Sequence, residues 1–77
     1  MTVRTSEAQY VFCVKNDGYP VSLELRKVYQ TVPDDWAARH GQIRVVDESG
    51  EDYLYPIEFF VPVALPEAAE EIFALAA

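Results

Sequence analysis

Two clusters in this 77-residue chain hold side chains capable of acid–base or metal chemistry. The first is Asp34, Asp35 and His40. A carboxylate beside an imidazole can orient it, titrate with it or share a cation with it. The spacing works against that reading if the segment is helical. Side chains meet across three or four helical positions, whereas Asp35 and His40 are five apart. Helix capping accounts for these residues instead. Asp34 or Asp35 can accept backbone N–H bonds at the start, and Arg39 and His40 suit the negative end of the dipole.

The second cluster is Asp47, Glu48, Glu51 and Asp52 around Ser49-Gly50. Calcium needs several oxygens converging on one ion, and the looped Asp-x-Asp-x-Asp-Gly register is missing. The segment reads as a solvated hairpin tip that could steer a basic partner. Cys13 sits among apolar neighbours in a strand-like run. A reactive thiol needs an electropositive, accessible setting, so Cys13 reads as buried and inert. Nothing in the sequence pairs it with His40. No catalytic set emerges, and the reading is a protein that is not an enzyme, with no catalytic residues, no metal and no cofactor.

Binding chemistry is better represented, since aromatic residues make up 13% of the chain. The residues expected to contact a partner are Tyr29, Trp36, Tyr55 and Phe59. Trp36 is the single tryptophan. It can anchor a partner, because tryptophan is enriched at binding hot spots, or it can cap one end of the core. Tyr19, Tyr29, Tyr53 and Tyr55 would form a peptide groove if they shared an exposed face. They could equally be strand residues with their hydroxyls in water.

Thirteen acids against six bases give a net charge of −7. Only Arg26-Lys27 are adjacent, and the other bases are scattered. That field repels phosphate, which disfavours nucleic acid and anionic membrane and favours basic partners or the uncharged parts of proteins. One cysteine permits no intrachain disulfide, and the start MTVRTSEAQ has no continuous apolar stretch. No run of about 20 apolar residues is available to cross a bilayer. The expectation is a cytoplasmic protein. The length implies a single domain, residues 1–77, with one small core and little room for a deep pocket.

The elements that must position these residues follow from pattern. Residues 1–8 are polar and are expected to be flexible. Tyr10 to Lys15 reads as a strand apolar on both faces, followed by the turn Asn16-Asp17-Gly18. Val21, Leu23 and Leu25 alternate with polar residues, predicting a half-exposed strand that breaks at Arg26-Lys27 in a bulge or sharp turn. Val28 to Val32 predicts another strand, and 33–41 a short helix ended by Gly41. Ile43 to Val46 and Tyr53 to Tyr55 read as strands joined by the turn 47–52. Pro56 ends that pairing, Ile57-Glu58-Phe59 fits one 3₁₀ turn, and Val61-Pro62-Val63 fits a strand in an edge or barrel-closing position. Pro66 to Ala77 reads as a helix. Its apolar side carries Ala68, Ala69, Ile72, Phe73, Leu75 and Ala76, and its other side three glutamates.

Residues 10–63 resemble a Src-homology-three-like small β-barrel of a type found in small bacterial proteins. Leu23-Glu24-Leu25 with Arg26-Lys27 is similar to that fold's strand and diverging turn, and Asp47 to Gly50 to its distal hairpin. Leu54-Tyr55-Pro56-Ile57-Glu58-Phe59-Phe60-Val61 is similar to its Leu-Phe-Pro-x-x-Tyr-Val ending, with one extra residue. The family's tandem tryptophans are missing near Gln42 to Arg44, and the insert around Trp36 and the terminal helix are additions. The resemblance implies a mainly β fold, a small barrel of five or six short strands, to which this chain adds a short helical insert and a C-terminal helix. It also implies an aromatic-lined peptide groove, for which Tyr55, Pro56 and Phe59 or Phe60 hold comparable positions.

The function expected from these readings is a small noncatalytic protein-binding or adaptor module. The alternative is a structural subunit or homo-oligomer that assembles through the C-terminal helix and the edge strand near Val61.

Overall fold

A computed structural model describes residues 4–76, with side chains through Phe73. The fold is mainly β. Five antiparallel strands form one open sheet: β1 (Tyr10–Cys13), β2 (Val28–Val32), β3 (Gln42–Val46), β4 (Asp52–Pro56) and β5 (Phe60–Val63). Their order across the sheet is β4-β3-β2-β1-β5. A five-residue helix α1 (Asp35–Arg39) joins β2 to β3, and α2 (Glu67–Ala76) follows β5. A 3₁₀ turn, Ile57–Phe59, links β4 to β5, where the sequence predicts one. Part of the segment expected to be flexible, residues 1–3, lies outside the described residues. Within the rest of it, Thr5–Glu7 forms a second 3₁₀ turn and Ala8 is buried.

One face of the sheet carries the core. Val11 and Cys13 on β1, Tyr29 on β2, Ile43 and Val45 on β3, Tyr55 on β4 and Phe60 on β5 are all buried there. The sheet curls enough for rings of its two outermost strands to meet, with Tyr55 and Phe60 centroids 6.4 Å apart, edge to face. Tyr29 reaches the same Phe60 at 6.5 Å. Such tilted pairs add favourable quadrupole contacts to the area they remove from water.

The segment 21–26 departs from the expected strand. Turns occupy residues 20–22 and 25–26, and no ladder runs through Val21 to Leu25. Alternation placed Val21, Leu23 and Leu25 on one buried face, but only Leu23 enters the core, at 0% exposure, while Val21 is 88% exposed. The cause is local. Leu23 N–H bonds back to Tyr19 O at 3.0 Å and Arg26 N–H to Cys13 O at 2.8 Å, while Asn16 Nδ2 donates to Leu23 O at 2.9 Å. Arg26 takes the left-handed conformation (φ 63°) that reverses the chain. The sharp turn expected at Arg26-Lys27 is present, and the strand before it is replaced by a loop, residues 14–27, that folds over the inner face.

The remaining elements fall close to the pattern. β1 stops at Cys13 rather than Lys15, because the N–H groups of Val14 and Lys15 both turn to Phe59 O, at 2.8 and 3.2 Å. β5 is an edge strand, which suits Pro62 because a proline has no N–H for an outer neighbour. α2 does dock on its own sheet, through Phe73 against Tyr10 at 5.0 Å. Ile72, expected on the docked side, is 66% exposed. Leu75, Ala76 and Ala77 lie outside the described side chains.

Leu23 is thus the one loop residue that fills the centre. Replacing it with alanine is expected to cost about 2–5 kcal/mol in urea denaturation, through lost transfer energy and the cavity left behind. Val21→Ala is expected to stay within about 0.5 kcal/mol of the parent. Equal effects at the two positions would contradict the placement of the loop.

Candidate functional site

The residues expected to bind a partner do not form one surface. Tyr29, Tyr55 and Phe59 are buried, and only Trp36 stands out, half exposed at 50%. The correction has a physical cause. The hydroxyls of Tyr29 and Tyr55 find carboxylate partners, which allows both rings to go inside rather than line an exposed groove. Tyr29 donates to Glu48 Oε2 at 2.5 Å and accepts from Glu24 N–H at 2.7 Å. Tyr55 donates to Asp47 Oδ2, also at 2.5 Å. Phe59, in the 3₁₀ turn, closes one side of the core.

These bonds join the loop 14–27 to the hairpin between β3 and β4. Glu48 N–H adds a backbone bond to Ser22 O at 3.0 Å. Lys27 Nζ completes the link with Glu48, 2.6 Å from Oε2. Asp47 begins the hairpin turn by accepting from both the N–H and the hydroxyl of Ser49, at 2.8 and 2.5 Å. Its two oxygens are therefore both engaged, and no Lys or Arg pairs with it among the described residues. Gly50 supplies the positive φ (83°) on which the turn closes.

The electrostatics follow. Burial alone would raise the Asp47 carboxyl, but the bonds from Ser49 and Tyr55 outweigh it and hold Asp47 below its ordinary range. Glu48 is lowered first by Lys27 and then by Tyr29. Burial, followed by the bond to Asp47, pushes Tyr55 up to about 12. Tyr29 is also raised, by burial and then by Glu48, against the opposing bond from Glu24 N–H.

Trp36 sits on α1, whose mount is well defined. Asp34 caps the helix by accepting Ala37 N–H at 2.9 Å, and its other oxygen accepts from Arg44 Nε at 3.0 Å. Arg44 also reaches Asp52 at 3.2 Å. The carboxyl of Asp34 is lowered by the Ala37 N–H and then by Arg44. Its two oxygens are thus spent on structure. His40 stacks on the Trp36 ring, with centroids 4.1 Å apart and planes at 19°, and its Nδ1 lies 2.6 Å from Trp36 O. The sequence cluster Asp34, Asp35 and His40 therefore resolves into a cap, a first-turn acid and a stacking partner. Ala37, on the opposite side of the helix, is buried.

Of the four tyrosines that the sequence offers for a shared groove, Tyr19 and Tyr53 are the two that stay exposed. Tyr19 (44% exposed) packs edge-on against Tyr55 at 5.0 Å, and Tyr53 (48% exposed) donates to Glu51 at 2.8 Å. Both line an open groove of about 370 Å³ with Ser22, Asp47 and Ser49. Cys13 is buried, its thiol raised by burial and lying 3.2 Å from Lys15 O. Among the described residues no three His, Cys, Asp or Glu side chains are grouped to hold a metal ion, and no helix is long and apolar enough to cross a membrane.

No family model, curated protein or solved structure matches the chain.

The phenol–carboxylate pairs make stability depend on pH in both directions. Asp47 and Glu48 have folded pKa values below their ordinary ones. Their contribution is present above about pH 4 and is lost as pH falls through the lowered values. Tyr55 rises from its ordinary value near 10 to about 12, so its contribution is complete below about pH 10 and is lost between there and about pH 12. Urea unfolding across pH is expected to show both limbs. Tyr55→Phe should cost about 1–3 kcal/mol at neutral pH, because Asp47 loses a buried donor, and should shrink the alkaline limb.

Proposed function

We propose that this chain is a small noncatalytic protein-binding module built as a Src-homology-three-like barrel, with Trp36 as its principal contact. The strand order β4-β3-β2-β1-β5, the long loop ahead of β2 and the 3₁₀ turn ahead of β5 support the barrel reading. The meeting of Tyr55 with Phe60 across the two edge strands supports it further. The interior is filled by rings and aliphatic side chains, so ligands act from outside.

The observation that carries the binding reading is Trp36. A tryptophan half in water forgoes much of the burial available to it. Here it projects from a helix fixed by a cap, an arginine that bridges Asp34 and Asp52, and a stacked imidazole. A large flat ring on a rigid mount has little conformational entropy left to lose on association. The partner is a protein segment with an apolar pocket or a proline-rich face, and the charge of −7 favours a basic one.

A second reading, self-association through α2 and β5, is favoured by the exposure of Ile72 and Val61. Sedimentation at micromolar concentration separates the two, and a monomer that is unchanged on dilution eliminates the second.

Affinity capture from the source cell, run in parallel with the parent and Trp36→Ala, tests the first reading. The expected outcome is a protein retained by the parent and lost with the variant, while circular dichroism of the two remains the same. Identical captures from both would remove Trp36 from the binding surface.

A further inference from the structure

The groove between the loop 14–27 and the β3–β4 hairpin lies on a different part of the chain from α1. Two half-exposed tyrosines, Tyr19 and Tyr53, share its lining, with Tyr55 beneath Tyr19. At its floor is the Asp47 carboxylate, buried yet ionised and with no cationic partner among the described residues. Tyr53 itself donates to a second carboxylate, Glu51, at 2.8 Å. None of the residues lining the groove is basic.

We propose that this groove receives a cationic side chain, an arginine or lysine, from an extended basic segment of a partner protein. Three observations converge on that occupant. Tyrosine faces attract cations through the ring quadrupole, and the groove offers two such rings with open area. The charge at its floor is negative and is balanced only by hydrogen-bond donors, so a bound cation would meet an uncompensated field. The molecule already shows the same pairing nearby, since Lys27 Nζ sits 5.7 Å from the centroid of the Tyr29 ring while bonded to Glu48. A metal ion suits the groove less well, because both Asp47 oxygens already accept bonds from Ser49 and Tyr55. An anionic or purely apolar segment would leave the carboxylate facing like charge or nothing. The proposal rests on the reading of the chain as a protein-binding module, but it uses residues distinct from Trp36.

The test is an NMR titration of the full chain with a capped Gly-Arg-Gly-Arg-Gly peptide and with its citrulline counterpart, which keeps the shape and removes the charge. Expected are saturable shifts converging on the amides of Tyr19, Ser22, Ser49 and Tyr53 with the arginine peptide, weakened by added salt, and no such shifts with citrulline. Tyr53→Leu and Tyr19→Leu, both at exposed positions, should each keep a dispersed spectrum and lose about fivefold in affinity or more. Trp36→Ala should leave the titration unchanged, so failure of the Trp36 reading would remain separate from failure here. Shifts spread evenly over the acidic surface, equal binding of the citrulline peptide, parent-like affinity in both tyrosine variants, or loss of binding in Trp36→Ala would each overturn the proposal.

Discussion

The inner face of the sheet is too large for five short strands to seal by themselves, and the loop 14–27 supplies the missing cover. Its attachment to the β3–β4 hairpin is the interaction on which the rest depends. Leu23 drops into the centre, Tyr29 links Glu24 to Glu48, and Ser22 accepts from Glu48 N–H. The hydrophobic part gives the free energy, and the polar part decides where the loop lands. An isolated carboxylate taken out of water would cost several kcal/mol. Asp47 tolerates burial because each of its oxygens has a donor, and hydrogen bonds to charged groups contribute about 1.5–3 kcal/mol apiece. The polar bonds thus roughly cancel the desolvation they require. Their value is specificity, because any other register of loop on hairpin leaves a buried charge unsatisfied.

That constraint explains which parts of the fold were legible in the sequence. Features set by local chemistry came through: the Asp34 cap, the end of α1 at Gly41, the 3₁₀ turn after Pro56 and the edge position of the proline strand. Each depends on residues within a few positions of one another. The segment around Leu23 did not come through, because its alternation matches a strand template while its actual partners, Tyr19, Cys13 and Asn16, are supplied by turns. Periodicity cannot separate one inward leucine flanked by two exposed residues from a half-buried strand.

The site was legible only in part for a related reason. Tyrosine reads alike at a core position with a partnered hydroxyl and at a wet surface position. Tyr29 and Tyr55 went inside because Glu48, 19 positions after Tyr29, and Asp47, 8 positions before Tyr55, provide acceptors. In sequence those acids read as a solvated hairpin tip. Tyr53, two residues from Tyr55 and on the same side of β4, lies nearer the hairpin end and stays half exposed. Distance from the centre of the sheet separates these tyrosines, and sequence carries no such coordinate.

The position of Trp36 follows from the sheet more than from its own helix. A helix of five residues has too few internal bonds to persist in water. α1 holds because Asp34 serves two masters, the Ala37 N–H within the helix and the Arg44 guanidinium on β3. Arg44 in turn is shared with Asp52 on β4, two residues from Leu54, the register partner of Arg44. At the other end Gly41 O accepts from Ile57 N–H, which joins the close of α1 to the 3₁₀ turn before β5. The exposed ring is therefore registered against β3, β4 and the core-closing turn together. Disturbing the strands would move the ring, whereas trimming the ring would leave the strands in place. Its half-exposed position sets Trp36 apart from Tyr29, Tyr55 and Phe59, which lie inside the core.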